Sequence, residues 1–327
     1  VTGVQTCALP ISKGMFLILG RAGLDLYADP PGTRIEDARG FFPALGGSAA
    51  NIASAIARLG SSATLLTTVS DDAVGRYVVA QLKHYGVGTD HVRFVKGEER
   101  TSLAVVETRA ENCQSVLYRN NAADFALTVQ DVSALDYQNA AALIVTGTSL
   151  AIEPSRSASF EAFKRARAAS CPVILDIDYR PYSWSSRDEA ASICGEAARQ
   201  TDILIGNDEE FSVLAGHDDG LSFARALADK HGALVVYKRG EKGLIAFVDG
   251  ACLGMGIYPV KALKPTGAGD AFLGGFVTGL AQGYTAKESL QRGTASAALV
   301  VTRVGCSPAN PTEHELRDFM IKNYLNR

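Results

Sequence analysis

Apolar residues along the chain fall in short runs: Phe16–Leu19, Ala63–Val69, Ala142–Thr146, Val173–Ile177, Ile203–Ile205, Leu234–Tyr237 and Leu244–Val248. The runs are rich in Val, Ile and Leu with little polar alternation, as in strands buried on both faces. Helical spacing lies between them. Asn51–Leu59 carries Ile52, Ile56 and Leu59 on one face and stops at Gly60. Val74, Val78, Leu82 and Tyr85 make the next stripe, which stops at Gly86. This alternation predicts an α/β fold, a mostly parallel sheet with helices on both faces.

Two stretches break the rhythm, about 21–45 and 92–121. Neither has helical spacing, and the second alternates in the β manner at Leu103, Val105 and Ser115-Val116-Leu117-Tyr118. A small separate sheet built from these insertions would cover a site on the α/β core. Val1–Lys13 has no basic start and no long apolar core, so it makes a poor signal peptide. Met15 opens a clean strand pattern, so residues 1–14 read as an extension foreign to the fold and 15–327 as one domain.

Composition narrows the function. Of 327 residues, 47% are hydrophobic and 20% charged, a globular balance. Lys+Arg number 32 against 35 Asp+Glu, a net charge of -3, which lacks the basic stripe a nucleic-acid binder needs. No apolar run approaches the roughly 18 residues that span a bilayer. The six cysteines (Cys7, Cys113, Cys171, Cys194, Cys252 and Cys306) show neither CxxC nor zinc spacing and read as reduced thiols in a cytoplasm. Five scattered histidines form no metal pair, and P-loop, protein-kinase and GxSxG machinery is missing.

The strongest chemical signal is Gly267-Ala268-Gly269-Asp270 before an apolar helical run. Small residues opening a helix leave N–H groups free at its positive end, an anion cradle. Asp270 in the first turn is a poor phosphate ligand but a good proton acceptor, so on its own the motif fits either phosphoryl transfer onto a hydroxyl or an acidic helix start with tight glycine packing. Gly46-Gly47-Ser48-Ala49-Ala50-Asn51 leads from the first insertion into a helix; it fits either close approach of a polyol or an N-cap by Ser48. Asn207 and Glu210 follow a strand and fit either a hydrated Mg²⁺ or a capping box. Lys238-Arg239-Gly240-Glu241-Lys242-Gly243 fits ATP phosphates or a hairpin turn. Asp176-Ile177-Asp178-Tyr179-Arg180-Pro181 also follows a buried strand, and Arg180 there could clamp a phosphate or a carboxylate.

In order and spacing, Gly20-x-x-x-x-Asp25, Gly46–Asn51, Val69-Ser70-Asp71-Asp72-x-x-Gly75, Asn207-x-x-Glu210, Gly240-x-x-Gly243 and Gly267–Asp270 resemble the ribokinase-like (PfkB) sugar kinase family. The resemblance runs from about Met15 onward. It implies a three-layer α/β/α core with a small β-sheet lid, ATP and Mg²⁺, and in many members pairing of two subunits through the lid. It implies Asp270 as catalytic base and Gly267, Ala268 and Gly269 as anion hole. Asp25, Gly46, Gly47 and Asn51 would hold sugar hydroxyls. Asn207 and Glu210 would organise Mg²⁺ through water. Asn207, Lys238, Gly240, Gly243 and Thr266 would line the ATP side.

Within that family the likeness is to kinases of small sugar acids, with 5-dehydro-2-deoxygluconate the preferred substrate. It rests on Gly20–Tyr27, Tyr118–Asp124, Asp176–Pro181 and Gly305–Ala309. Arg119 and Arg180 are then the candidates for the substrate carboxylate, with Arg21 and Arg34 behind them; the alternative for each is a surface ion pair of little worth. The rivals are a 2-dehydro-3-deoxygluconate kinase, a fructokinase or ribokinase, and a non-catalytic binder with the same fold. One departure stands out. Many relatives have Asp three residues before the first glycine of the cradle, where it helps bind a monovalent cation, and here that residue is Lys264. Weak or absent potassium activation is expected.

Overall fold

The computed structural model describes residues 11–109 and 111–324. In chain order its elements begin β1 (Met15–Leu19), β2 (Gly23–Asp29), β3 (Gly40–Gly46), α1 (Ser48–Arg58), β4 (Ser62–Ser70), α2 (Ala73–His84), β5 (Val92–Val95), β6 (Ser102–Val106) and β7 (Ser115–Tyr118). There follow α3 (Val129–Ser133), β8 (Ala140–Thr146), α4 (Ser155–Ala168), β9 (Val173–Asp176), α5 (Arg187–Ala198), β10 (Ile203–Asn207), α6 (Asp208–Ala215), α7 (Gly220–His231) and β11 (Leu234–Lys238). The last are β12 (Leu244–Val248), β13 (Ala251–Met255), α8 (Ala268–Ala281), α9 (Ala286–Val300) and α10 (Glu313–Tyr324).

The large sheet has nine strands in the order β13-β12-β11-β10-β9-β8-β1-β4-β5. Its pairs are parallel except those of β12 with β11 and β13. Alternate residues of the central strands go to opposite faces. Phe16, Ile18, Ile144, Ile174 and Val236 pack with α1, α2, α8 and α9. Leu17, Leu143, Leu175, Leu204 and Val235 pack with α3 to α7. Strands sandwiched this way must be apolar on both sides, which is why they appear as unbroken runs.

The small sheet is ordered β3-β2-β6-β7. Of the stretch 92–121, Val92–Val95 pairs with β4 at the edge of the large sheet, so only the part from Ser102 to Tyr118 enters the small one. Tyr27, Ala44, Ala104 and Val106 of this sheet pack on Cys306. The expected extension 1–14 lies outside the described residues up to residue 10; Ile11 is buried in the core with Phe16 and Leu65. Among the described residues all five cysteines are free, and no helix is long and apolar enough to cross a membrane.

Parallel strands put their carboxyl ends on one edge, and the order reverses direction at β1, where ligands gather in open α/β sheets. Thr146, Asp176, Asn207 and Lys238 are the final residues of β8, β9, β10 and β11; Thr146 stands opposite Asp176 and Asn207 opposite Lys238, while Asp176 faces Ile205, two residues before the end of β10. The α8 N-terminus and the start of α1 meet over this edge. Their close approach needs small residues: a Cβ on Gly274 would lie 2.4 Å from the Ala55 Cβ.

Candidate active site

Gly267 caps α8 in the left-handed region (φ 82°), a conformation that glycine adopts without strain. A Cβ there would also press within 2.7 Å of the Cys306 sulfur. The turn leaves the first N–H groups of α8 unpaired within the helix and exposed to an anion. Asp270 is the third residue of α8, so its carboxylate stands beside that cradle. Asn51 Nδ2 of α1 donates to Asp270 Oδ2 at 2.8 Å. Asn51 is itself fixed: its Oδ1 accepts from Ser307 Oγ at 2.7 Å and its carbonyl from Asn310 Nδ2 at 3.2 Å.

The strand edge supplies the charges. Lys238 Nζ lies 3.6 Å from Asp176 Oδ1 and would be 3.3 Å from a Cβ on Gly269, so an ammonium flanks the cradle. Arg180 Nη2 pairs with Asp178 Oδ1 at 2.7 Å, and its Nη1 lies 3.9 Å from Glu210. Asp178 holds a left-handed backbone (φ 39°) and accepts from Ser48 Oγ at 2.6 Å and Thr148 Oγ1 at 3.2 Å. Those bonds over-determine a strained turn, as is common at binding sites. Ser48 therefore does not cap α1, whose N-cap is Gly47 (φ 95°).

Four carboxylates (Asp176, Asp178, Glu210 and Asp270) thus face two cations, Lys238 and Arg180. Burial, then repulsion from Asp178 and Asp176, pushes the Asp270 carboxyl up to about 7, against the pull of Asn51 and Arg180. Burial also raises Glu210 to about 7, with Lys238 opposing and Asp176 adding to the effect. Burial works to lower Lys238, but Asp176, Glu210 and Asp270 raise it above the usual lysine value. A carboxyl near 7 is poised to take a proton at neutral pH.

Other expected site residues divide by location. Asp25 on β2 is buried beside Gly46, where a Cβ would overlap its Oδ1 at 1.9 Å. Tyr27 donates to Asp25 Oδ2 at 3.1 Å. Gly47 leaves no room for a side chain either, since a Cβ would sit 2.4 Å from the Arg21 carbonyl. Arg119, after β7, is buried in an ion pair with Asp124, donates to Ser183 Oγ at 2.9 Å and stacks 4.1 Å over the Phe125 ring. Arg21, by contrast, has no ion-pair partner among the described residues, and its Nε is buried without a hydrogen bond. Arg34 is exposed and pairs with Glu36.

Asn207 and Glu210 form the capping box of α6: Asn207 Oδ1 accepts from the Glu210 N–H at 2.8 Å, and Glu210 Oε2 from the Asn207 N–H at 2.7 Å. Gly240 and Gly243 form the tight link between β11 and β12, closed by the Arg239 N–H on the Gly243 carbonyl at 2.8 Å. A Cβ on Gly243 would lie 2.0 Å from the Met255 carbonyl. Thr266 precedes the cradle with its hydroxyl buried and unpartnered. The roles of Asp176, Asp178, Ser48, Ser307 and Asn310 were missed in the sequence. A usable signal existed for Asp176: successive apolar strands each end on one polar residue, at Thr146, Asp176, Asn207 and Lys238.

Comparison with known proteins agrees with this geometry. The family model described as pfkB family carbohydrate kinase matches residues 15–313. A protein of Photobacterium profundum named 5-dehydro-2-deoxygluconokinase is 39% identical over 93% of this chain and 94% of its own length. A protein of the same name from Geobacillus thermodenitrificans is 36% identical over 93% and 92%. Among solved structures, a fructokinase double mutant from Vibrio cholerae O395 with fructose, ADP and potassium ion bound is 26% identical, with a TM-score of 0.83 over 94% of this chain and 98% of that one. The large parallel sheet, small lid sheet and glycine cradle have the ribokinase-like arrangement, and the chain belongs to the pfkB family of carbohydrate kinases.

Proposed function

We propose that this kinase transfers the γ-phosphoryl group of ATP to the primary hydroxyl of a small sugar acid, with 5-dehydro-2-deoxygluconate preferred and its 6-phosphate as product. The observation that carries the substrate is the shared name of relatives 36–39% identical along 93% of the chain. Charge supports it. Arg21 brings positive charge near Asp25 and Arg119, and among the described residues Arg119 is the only one of the two arginines with a carboxylate partner. With no ion pair of its own among the described residues, the Arg21 guanidinium is free to meet the carboxylate of an anionic sugar, which a neutral sugar lacks.

The substrate hydroxyl gives its proton to Asp270 as it attacks, while the N–H groups from Gly267 to Asp270 and the Lys238 ammonium take up charge developing on the phosphoryl oxygens. Asn51 holds the carboxylate at its working angle. Asp25, in contact with Gly46, binds sugar hydroxyls, and the lid sheet excludes water. Arg180 serves the substrate or phosphate side from beside Asp178, and Arg119 braces the lid against Ser183. The ATP side is formed by Thr266, Lys238, Gly240, Gly243 and Asn207.

The excess of carboxylates fits a divalent cation, and Asp176 Oδ1 has no hydrogen-bond donor of its own. Among the described residues no three His, Cys, Asp or Glu side chains converge on one metal position. Mg²⁺ therefore fits as a hydrated ion, held through water by Asn207 and Glu210 with Asp176 nearby. When bound it would offset phosphate charge. A second copy of the chain would cover the exposed Phe41 and Phe42 of β3 and Val116 and Tyr118 of β7, giving a homodimer through the lid.

The test is ADP release by the purified protein with Mg²⁺ and ATP, over 5-dehydro-2-deoxygluconate, 2-dehydro-3-deoxygluconate, fructose and ribose. The expected kcat/KM is highest for the first and at least about tenfold below it for neutral sugars, the worth of one charge-assisted hydrogen bond. A neutral sugar used better than either acid would refute the sugar-acid reading. No turnover of any would favour a binder without catalysis.

A further inference from the structure

Lys264 is a lysine with no exposed surface, three residues before the cradle glycine. Lysines are almost never fully buried without a partner, because desolvation penalises the charged form. Its backbone is anchored: the N–H groups of Leu263 and Lys264 both donate to the Val301 carbonyl at the end of α9, at 2.7 and 3.2 Å. Its Nζ donates to the Thr266 carbonyl at 2.5 Å. That carbonyl belongs to the peptide that leads into Gly267.

In a trans peptide the C=O and the following N–H point in opposite directions. Holding the Thr266 carbonyl toward a cation behind the loop therefore turns the Gly267 N–H away from it, to the front where an anion would sit. The left-handed Gly267 lets the chain enter α8 from that orientation. The back of the loop is filled by Cys306 and Val300, so the peptide has little room to rotate. Burial holds the Lys264 pKa below the usual lysine value, and Cys306, Asp270, Cys113 and Asp25 work against that lowering, the two carboxylates by favouring the ammonium. The same charge reaches Asp25 on the lid side and Asp270 on the catalytic side.

We propose that Lys264 is a positioning residue, a tethered cation that sets the Thr266–Gly267 peptide so that the cradle receives the transferring phosphoryl group without a free monovalent ion. The Vibrio cholerae fructokinase in the comparison was solved with potassium ion; in this chain the ammonium supplies a fixed positive charge behind the cradle. The inference rests on reading Gly267–Asp270 as the phosphoryl cradle. Undiminished turnover by Asp270→Asn would overturn that reading, whereas a potassium-dependent wild type would overturn only the role of Lys264.

The experiment measures turnover of the intact protein in buffer with tetramethylammonium as the sole monovalent cation, and again with saturating potassium. Wild-type turnover is expected to change by less than about twofold, under the ~tenfold that one charge-assisted hydrogen bond represents. Lys264→Ala is expected to lose about tenfold or more in kcat with a smaller change in the KM for ATP, since donor orientation matters most in the transition state. Potassium or ammonium should restore the Ala variant with saturable dependence. Lys264→Met keeps the volume and removes the charge, so it should lose kcat similarly. The proposal fails if potassium stimulates the wild type more than about twofold. It fails equally if Lys264→Met turns over normally, or if a folded Lys264→Ala is rescued by no cation. Should the Ala variant not fold, the wild-type titration and the Met variant decide.

Discussion

Asp270 and its neighbours set the pH response. As a base, Asp270 must be ionised, so kcat/KM should rise with pH and level off above about 7. Asp178 is the largest charge pushing that value up after burial itself. Asp178→Asn should therefore move the rising limb to lower pH, and a limb that stays in place would show that Asp178 does not act on the base. Stability should run the other way. The folded-state value of Asp270 lies above its ordinary 3.8, so folding takes up a proton between the two. The associated stability is complete at low pH and is lost as pH rises through about 7. Asp270→Asn removes the loss while keeping an acceptor for Asn51. Its melting temperature should exceed that of the wild type by about 2 °C or more at pH 8, and equal or lower values would contradict the burial argument.

At the level of elements, the meeting of α1 and α8 decides where Asn51 and Asp270 stand. Gly274→Ala would drive a Cβ to 2.4 Å from the Ala55 Cβ. We expect a loss of roughly 1–3 kcal/mol, read as a lower thermal midpoint, with reduced kcat because the helices separate. An unchanged midpoint would mean the two helices are free to shift. The central strands were legible because a strand covered by helices on both sides must be apolar throughout. β5 and β13 were not, because they are short edge strands with half-exposed faces. The glycine cradle was legible because it is local, four consecutive residues with one function. Asn51 to Asp270 spans 219 residues and Ser307 to Asn51 spans 256, so the support of the base existed only once the fold brought them together. Local motifs also misled about capping: Ser48 suited an N-cap but gives its hydroxyl to Asp178 across 130 residues.

The whole molecule joins a lid to a charged sheet edge. Phe41, Phe42, Val116 and Tyr118 remain exposed on the lid strands, with Tyr118 at 60%. If two lids pair, sedimentation should give a dimer, and Phe42→Glu combined with Tyr118→Glu should give a monomer with a higher KM for the sugar. A monomeric wild type would rule the pairing out. The guanidinium of Arg21, which has no ion pair among the described residues, predicts that Arg21→Met loses about tenfold or more in kcat/KM for the sugar acid and little for ATP. Equal losses for both would assign Arg21 to the nucleotide.

The most direct test concerns the carboxylate at the mouth of the glycine-capped helix. Asp270→Asn should lower kcat by roughly two to four orders of magnitude while calorimetry shows ATP binding close to that of the wild type. Near-normal turnover in that variant would contradict the account, because the hydroxyl proton would then be leaving by another route.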